Sequence, residues 1–287
     1  MTTTNLVIQS PVLTAPQTEQ AAALSQAQGI IHLSQTAARL LDVESDAQTR
    51  AEVRDWSESS NVDAAFVPAG RRLADCRVLA MDMDSTLIAI ECIDEIAAYA
   101  GRGEEVAAIT EAAMRGEIKD FPESLRRRVA LLAGVPASAL EHIYRDKLRF
   151  NPGAERLVAT ALAAGLKAML VSGGFTFFTE RLRERLGLTA TYANTLEIDA
   201  DGKLTGRVLG DILDAEGKAA RLREFAAAHG ATRPDQIIAL GDGANDLRML
   251  SEAGYAVAYH AKPIVRRQTP YALNVCGLDA VLNWFEG

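Results

Sequence analysis

The sequence predicts an α/β protein: a parallel sheet between helices, a purely helical insert after the first strand of that sheet, and a small α+β module ahead of it. Three observations carry this prediction. Short apolar runs at Val78–Met81, Lys167–Val171 and Ile237–Leu240 are each followed by residues at helical spacing, which implies parallel strands joined by right-handed crossovers. Between the first two of these runs the pattern is helical throughout, with no strand. Before residue 75, shorter strand-like and helix-like runs end in Pro68-Ala-Gly-Arg-Arg72, where Pro and Gly punctuate the chain.

Composition sets the bounds. At 287 residues, 48% hydrophobic and 24% charged, the sequence has room for one large domain plus a smaller module. A net charge of −8 argues against nucleic acid or an anionic membrane as the main partner, while leaving an anionic small substrate open. Met1-Thr-Thr-Thr-Asn5 has no basic n-region, and Lys167 interrupts the most apolar stretch, Leu157–Val171, so neither a signal peptide nor a membrane span is expected. Cys76, Cys92 and Cys276 have no zinc or redox spacing, and the four histidines are scattered; a reduced cytoplasm is the default.

Taken in order, residues 1–74 form the small module. Leu6–Ile8, Gly29–Leu33 and Val62–Val67 read as strands, and Thr18–Gln28 and Ala47–Ser57 as helices. The larger domain is expected over 75–287. Its first strand ends in Asp82-Met-Asp84, two carboxylates where a buried parallel strand runs out, the place where open α/β sheets bind ligands. Left alone the pair would repel, and a hard divalent cation would remove that conflict. Asp-x-Asp also occurs in ordinary turns and caps. A calcium loop of the EF-hand kind fails on spacing, since Leu87 and Ile93 fall where Gly and Glu are required.

A helix through Ile93, Ile96 and Ala97 follows, then helical patterns over Glu104–Gly116, Pro122–Ala133 and Ser138–Arg149; the region of about 94–150 is read as a cap over the ligand edge of the sheet. Arg126-Arg-Arg128 lies within it. Such a run is usually a solvated face, which suits Arg126 and Arg127; Arg128 stands beside core-facing Val129 and could face either way. The second strand ends in Ser172-Gly-Gly174, where glycines admit close backbone approach and a helix start can bind an anion. Asp201-Gly202 between apolar-alternating runs signals a β-hairpin. Lys218 heads a helix, a position the macrodipole disfavours for a cation. The third strand runs into Asp242, and Asp246 opens the next helix, where it could serve simply as an N-cap. Two further strands, Ala256–His260 and Ala272–Cys276, and a helix over Leu278–Phe285 complete the chain.

Each feature has an ordinary explanation alone. Together they set carboxylates, a hydroxyl and a cation at one sheet edge, as phosphoryl transfer requires. Asp82-Met-Asp-Ser-Thr86, Ser172-Gly-Gly174, Lys218 and Gly241-Asp-Gly-Ala-Asn-Asp246 resemble, in order, the four motifs of the haloacid dehalogenase (HAD) superfamily. Glu91-Cys-Ile-Asp-Glu-Ile96, Met114, Phe121-Pro-Glu-Ser-Leu-Arg-Arg-Arg-Val129 and Val171–Phe175 resemble more closely its phosphoserine phosphatase family. The resemblance covers roughly 75–287 and implies a Rossmann-like HAD fold; residues 1–74 are only loosely similar to the ACT-like regulatory module of some longer members.

The resemblance implies Mg2+-dependent hydrolysis of O-phospho-L-serine, the last step of L-serine biosynthesis, through an aspartyl-phosphate. It makes Asp82 the nucleophile and Asp84 the general acid and base. Mg2+ would be held by Asp82, the Asp84 carbonyl and Asp242, with Asp246 orienting that shell. Ser172, Gly173, Lys218 and Asn245 would meet the phosphoryl group, Glu91 the ammonium and Arg128 the carboxylate, with Met114 and Phe121 also against the substrate. A related phosphomonoesterase, a phosphotransferase to homoserine, and an idle amino-acid sensor on the same fold are the rivals. The expected partner is a small molecule, with no nucleic acid and no membrane, and a homodimer is allowed for.

Overall fold

The computed structural model describes residues 3–287 and contains two sheets. The first has four antiparallel strands in the order β2-β3-β1-β4, from β1 (Thr4–Gln9), β2 (Gly29–Ser34), β3 (Ala37–Leu41) and β4 (Asp63–Pro68). Helices α1 (Ala15–Leu24) and α2 (Ala47–Ser60) cover one of its faces. The expected helix over Thr18–Gln28 starts earlier, because Thr14 and Gln17 form a capping box with Pro16 in the first turn. Strand β3 was not expected from the sequence.

The second sheet has seven strands in the order β11-β10-β9-β5-β6-β7-β8. They are β5 (Val78–Met81), β6 (Lys167–Phe175), β7 (Ala190–Ile198), β8 (Leu204–Leu209), β9 (Ile237–Gly241), β10 (Tyr255–Tyr259) and β11 (Tyr271–Leu273). All neighbours are parallel except β7 and β8, the hairpin that turns at Asp201-Gly202. Period-two alternation divides the core: Leu79, Met81, Leu170, Ile238 and Leu240 face one side, and Val78, Ala80, Met169, Val171 and Ala239 the other. Both faces are apolar, as a parallel sheet between helix layers requires.

Four helices stand between β5 and the helix that leads into β6: α3 (Cys92–Tyr99), α4 (Gly103–Met114), α5 (Phe121–Ala130) and α6 (Ser138–Asp146). Then α7 (Ala154–Ala163), α8 (Thr176–Leu186) and α9 (Ala215–Ala228) supply crossovers, and the short α10 (Leu247–Leu250) and α11 (Pro263–Arg266) follow β9 and β10. The β7–β8 hairpin reaches the cap. Gly134 and Leu204 exchange backbone bonds with each other's neighbourhood, and at Gly206 (φ +83°) an added Cβ would lie 3.1 Å from the Ala130 carbonyl oxygen. The last expected strand is shorter than Ala272–Cys276, and the expected helix at 278–285 is a 3-10 segment over Leu278–Trp284.

The two sheets are joined through buried contacts. On β1, Leu6 and Ile8 face the module's own helices while Val7 joins the core of the larger domain, as do Ala65 and Val67 of β4. Asp63 is buried and accepts the backbone N–H groups of Asn274, Val275 and Cys276 at 2.7, 3.2 and 2.8 Å. Arg39, buried in β3, donates to the carbonyls of Asn283 and Phe285.

Candidate active site

Strand β5 lies between β6 and β9, so its C-terminal end opens into the crevice where the chain order departs in two directions. Asp82 caps the strand. The chain then makes a wide turn over Met83–Leu87, closed by the Ile88 N–H donating to Met83 O, with Ser85 in the left-handed region at φ 57°. That turn is held from outside by Asn151, whose Nδ2 donates to the carbonyls of Ser85, Thr86 and Ile88 at 3.2, 2.7 and 3.2 Å. Thr86 Oγ1 donates to Asp242 Oδ1 at 2.8 Å, tying the first strand end to the third.

Lys218 is 1% exposed and joins two carboxylates, with Nζ 2.8 Å from Asp82 Oδ1 and 2.7 Å from Asp246 Oδ1. This removes the conflict with the helix macrodipole: the lysine is not a surface cation but the counter-ion of a buried acidic pair. Burial opposes its charge, yet Asp246 and Asp82 more than restore it, so its pKa stands above the ordinary lysine value. Asp246 is fully buried and stands at the N-cap position of α10, but its side chain makes no bond to that helix and instead accepts the Gly243 N–H at 3.0 Å. No Cβ fits at Gly241, where one would lie 2.6 Å from the Asp246 Cβ.

Asp84 accepts the Cys92 N–H at the start of α3 (3.0 Å) and faces Ser172 Oγ at 3.4 Å. Burial pushes its carboxyl above the usual range despite those bonds. Burial also raises Asp82, with the Asp246 carboxylate adding to the effect, and raises Asp242 to about 6. Oxygens of Asp82, Asp242 and Asp246 converge to within 4.8 Å of one another. Three carboxylates, two of them buried, with one lysine beside them form a hard oxygen donor set of net negative charge, and such a set fits a divalent cation.

The Ser172-Gly-Gly174 loop is made by a bulge. Val171 pairs with Tyr192 and Phe175 with Asn194, so three residues of β6 stand opposite a single one of β7 and swing toward Asp84. The carbonyl freed at Gly173 is taken by Asn194 Nδ2 at 2.8 Å, while Asn194 Oδ1 accepts the Leu213 N–H at 2.8 Å. Ser172 Oγ accepts the Gly174 N–H at 2.8 Å. Glycine is required here, since a Cβ on Gly174 would lie 2.5 Å from Asp84 Oδ2 and one on Gly173 would lie 2.8 Å from Phe121 Cζ.

These groups surround a cavity of about 180 Å3. Of the residues singled out from sequence, Asp82, Asp84, Glu91, Phe121, Arg128, Ser172, Gly173, Asp242 and Asn245 line it. Lys218 and Asp246 stand behind Asp82. Met114 does not join them: it ends α4, is 66% exposed, and meets Lys262 Nζ at 3.8 Å. Its expected place against the substrate is therefore not the place it holds here. Arg128 faces the cavity while Arg126 and Arg127 are exposed. Burial lowers its pKa, with Asp94 and Glu91 opposing. Glu91 accepts Ser85 Oγ at 2.6 Å, and burial, then Asp84, raise it to about 7. Sequence reading missed Ile93, Leu125 and Phe175 in the lining, and Asn151 and Asn194 behind it. An asparagine in a loop or strand carries no spacing signal; only the fold reveals which carbonyls it meets.

Comparisons with known proteins give the family. Residues 79–251 match the haloacid dehalogenase-like hydrolase family, and residues 6–53 match a domain of unknown function. A phosphoserine phosphatase from a Polaromonas species is 58% identical over 215 residues, 74% of this chain and 90% of that one. A HAD-family hydrolase structure from Salmonella enterica serovar Typhi superposes with a TM-score of 0.89 at 31% identity, covering 99% of both chains. The unliganded structure of a probable phosphoserine phosphatase from Vibrio cholerae gives 0.82 at 37% identity, covering 98% of this chain and 86% of the other.

Proposed function

We infer, because this chain belongs to the haloacid dehalogenase-like hydrolases and within them to the phosphoserine phosphatase family, that it is an enzyme hydrolysing O-phospho-L-serine to L-serine and phosphate. The observation that carries the reading is one cavity lined by a carboxylate pair, the Ser172-Gly-Gly174 loop, a carboxyl at Glu91 and a guanidinium at Arg128. The reaction is the last step of L-serine biosynthesis, and we assign it to the cytoplasm.

In the mechanism we propose, Asp82 is the nucleophile. Its Oδ1 accepts from Lys218 and from the Met83 N–H at 2.8 Å, which leaves Oδ2 to form the bond to phosphorus. As the phosphorus–oxygen bond to the seryl group breaks, Asp84 gives that oxygen its proton; burial raises this carboxyl, a shift in the direction an acid needs. Asp84 then takes a proton from the water that attacks the aspartyl-phosphate, which restores Asp82 and releases phosphate. Ser172 Oγ, the Gly173 N–H, Lys218 and Asn245 meet the phosphoryl oxygens. Glu91 accepts from the substrate ammonium, whose charge favours the ionised carboxylate, and Arg128 forks onto the substrate carboxylate. Asp82, the Asp84 carbonyl and Asp242 would hold Mg2+, with Asp246 fixing the shell through Lys218 and Gly243. Such an ion supplies positive charge against the phosphoryl oxygens.

Phosphate release from a panel of phosphomonoesters, with Mg2+ and with EDTA, tests the reading. L-phosphoserine should be preferred, serine and phosphate should appear in equal amounts, and chelation should stop turnover. Phosphohomoserine appearing when homoserine is added would replace hydrolysis with phosphotransfer.

A further inference from the structure

The edge strands β4 and β11 of the two sheets lie side by side, and beside that seam is a second cavity, of about 270 Å3, near the small end of the range for organic ligands. One wall is a face of α2 that carries Arg50, Val53, Arg54 and Glu58; the other is Arg266 and Arg267 at the end of α11, and Val62 and Phe66 add apolar surface. Four guanidinium groups thus stand against two carboxylates. One of those, Asp63, is already taken by three backbone N–H groups, and the other, Glu58, is 3.4 Å from Arg266. The cavity is positive in a chain whose net charge is −8.

One further detail points to a ligand. Arg50 lies over the Phe66 ring at 4.5 Å, which holds its guanidinium in place at the cavity. None of these residues lines the catalytic cavity, and no step of the reaction uses them.

We propose that this seam cavity binds a small organic anion with a carboxylate or phosphate head on a short apolar body. The planar forks of Arg54, Arg266 and Arg267 meet the head, because guanidinium geometry matches either oxyanion. Val53, Val62 and Phe66 receive the body. Contacts from both sheets fall on one ligand, so its binding fastens the two parts of the chain together.

Calorimetric titration of the full chain with benzoate and with phenylphosphonate presents the two heads on one body. At least one of them should bind. Arg54→Gln/Arg267→Gln neutralises two exposed residues and should weaken that binding by about tenfold or more, while Arg128→Gln, in the catalytic cavity, should leave it unchanged. Arg266→Gln is the second variant and should weaken binding by itself. The better probe identifies the head. Absence of binding by both probes, unchanged binding in the arginine variants, or loss that follows Arg128→Gln would each overturn the proposal. Calorimetry reads binding alone, so the result stands whether or not the chain acts on phosphoserine.

Discussion

In the mechanism we propose, two carboxylates two residues apart do opposite things, and their surroundings divide the work. Asp82 is clamped by Lys218 and the Met83 N–H, whereas Asp84 has only the Cys92 N–H and a long contact to Ser172 Oγ. Asp84→Asn keeps the backbone carbonyl and the acceptor for Cys92, so substrate affinity should survive while turnover falls by about 10²–10⁴-fold. Normal turnover with weakened binding would show that Asp84 is not the acid. Glu91 and Arg128 are tested by comparison of substrates. Removing one partner of a desolvated charge pair costs about 3–5 kcal/mol, so Glu91→Gln and Arg128→Ala should lower kcat/KM for L-phosphoserine by roughly 10²–10⁴-fold. A small aryl phosphate, which makes neither contact, should be hydrolysed almost as before. Equal losses on both substrates would reject the amino-acid clamp.

At the level of elements, the Ser172-Gly-Gly174 loop exists because β6 departs from β7 for three residues and a side chain replaces the missing ladder. Asn194 does this with both ends of its amide, and its second bond reaches Leu213, next to the Asp214 cap of the helix that carries Lys218. The loop and the helix that carries Lys218 are thereby set relative to each other. Asn194→Ala leaves a carbonyl and an N–H unpaired at a site 2% exposed, a cost of about 1–3 kcal/mol in stability. A merely structural role would end there. A positioning role predicts that inorganic phosphate becomes a weaker competitive inhibitor and that KM rises more than kcat falls. Asn194→Asp should do at least as much harm, because a carboxylate would face the Gly173 carbonyl. What the sequence reveals follows the same division. The strand ends at Asp82, Ser172 and Asp242 are legible because apolar runs stop at polar residues, and the hairpin because Asp-Gly fits its turn. The bulge is not legible, since it is a mismatch between two strands. Nor is β3, whose Ala37-Ala-Arg-Leu-Leu41 has helix-favouring composition; it is a strand because β1 and β2 flank it and the carbonyls of Asn283 and Phe285 take up the Arg39 guanidinium.

For the whole molecule, we propose that the division near residue 74 separates chemistry from support. Every group placed in the reaction lies after it, yet the smaller sheet is not a loose appendage. Val7, Ala65 and Val67 share a core with the larger domain, and Asp63 satisfies three of that domain's backbone N–H groups. Residues 75–287 alone should therefore keep the kcat of the full chain while losing stability, since apolar surface around Trp284 and Phe285 and the N–H groups of 274–276 would become exposed. Asp63→Ala in the full chain isolates the polar part. Bonds to a charged acceptor are worth about 1.5–3 kcal/mol each, and water entering the gap recovers some of that, so a net loss on the order of 3 kcal/mol is expected. At roughly 2–4 °C per kcal/mol, the melting midpoint should fall by about 6–12 °C. Turnover at 25 °C should not move, because Asp63 does not line the catalytic cavity. Thermal scans and initial rates on both variants check this together. A well-folded truncation without activity would mean that residues 1–74 reach into the reaction, and an unshifted midpoint for Asp63→Ala would mean that the seam is held by its apolar contacts alone.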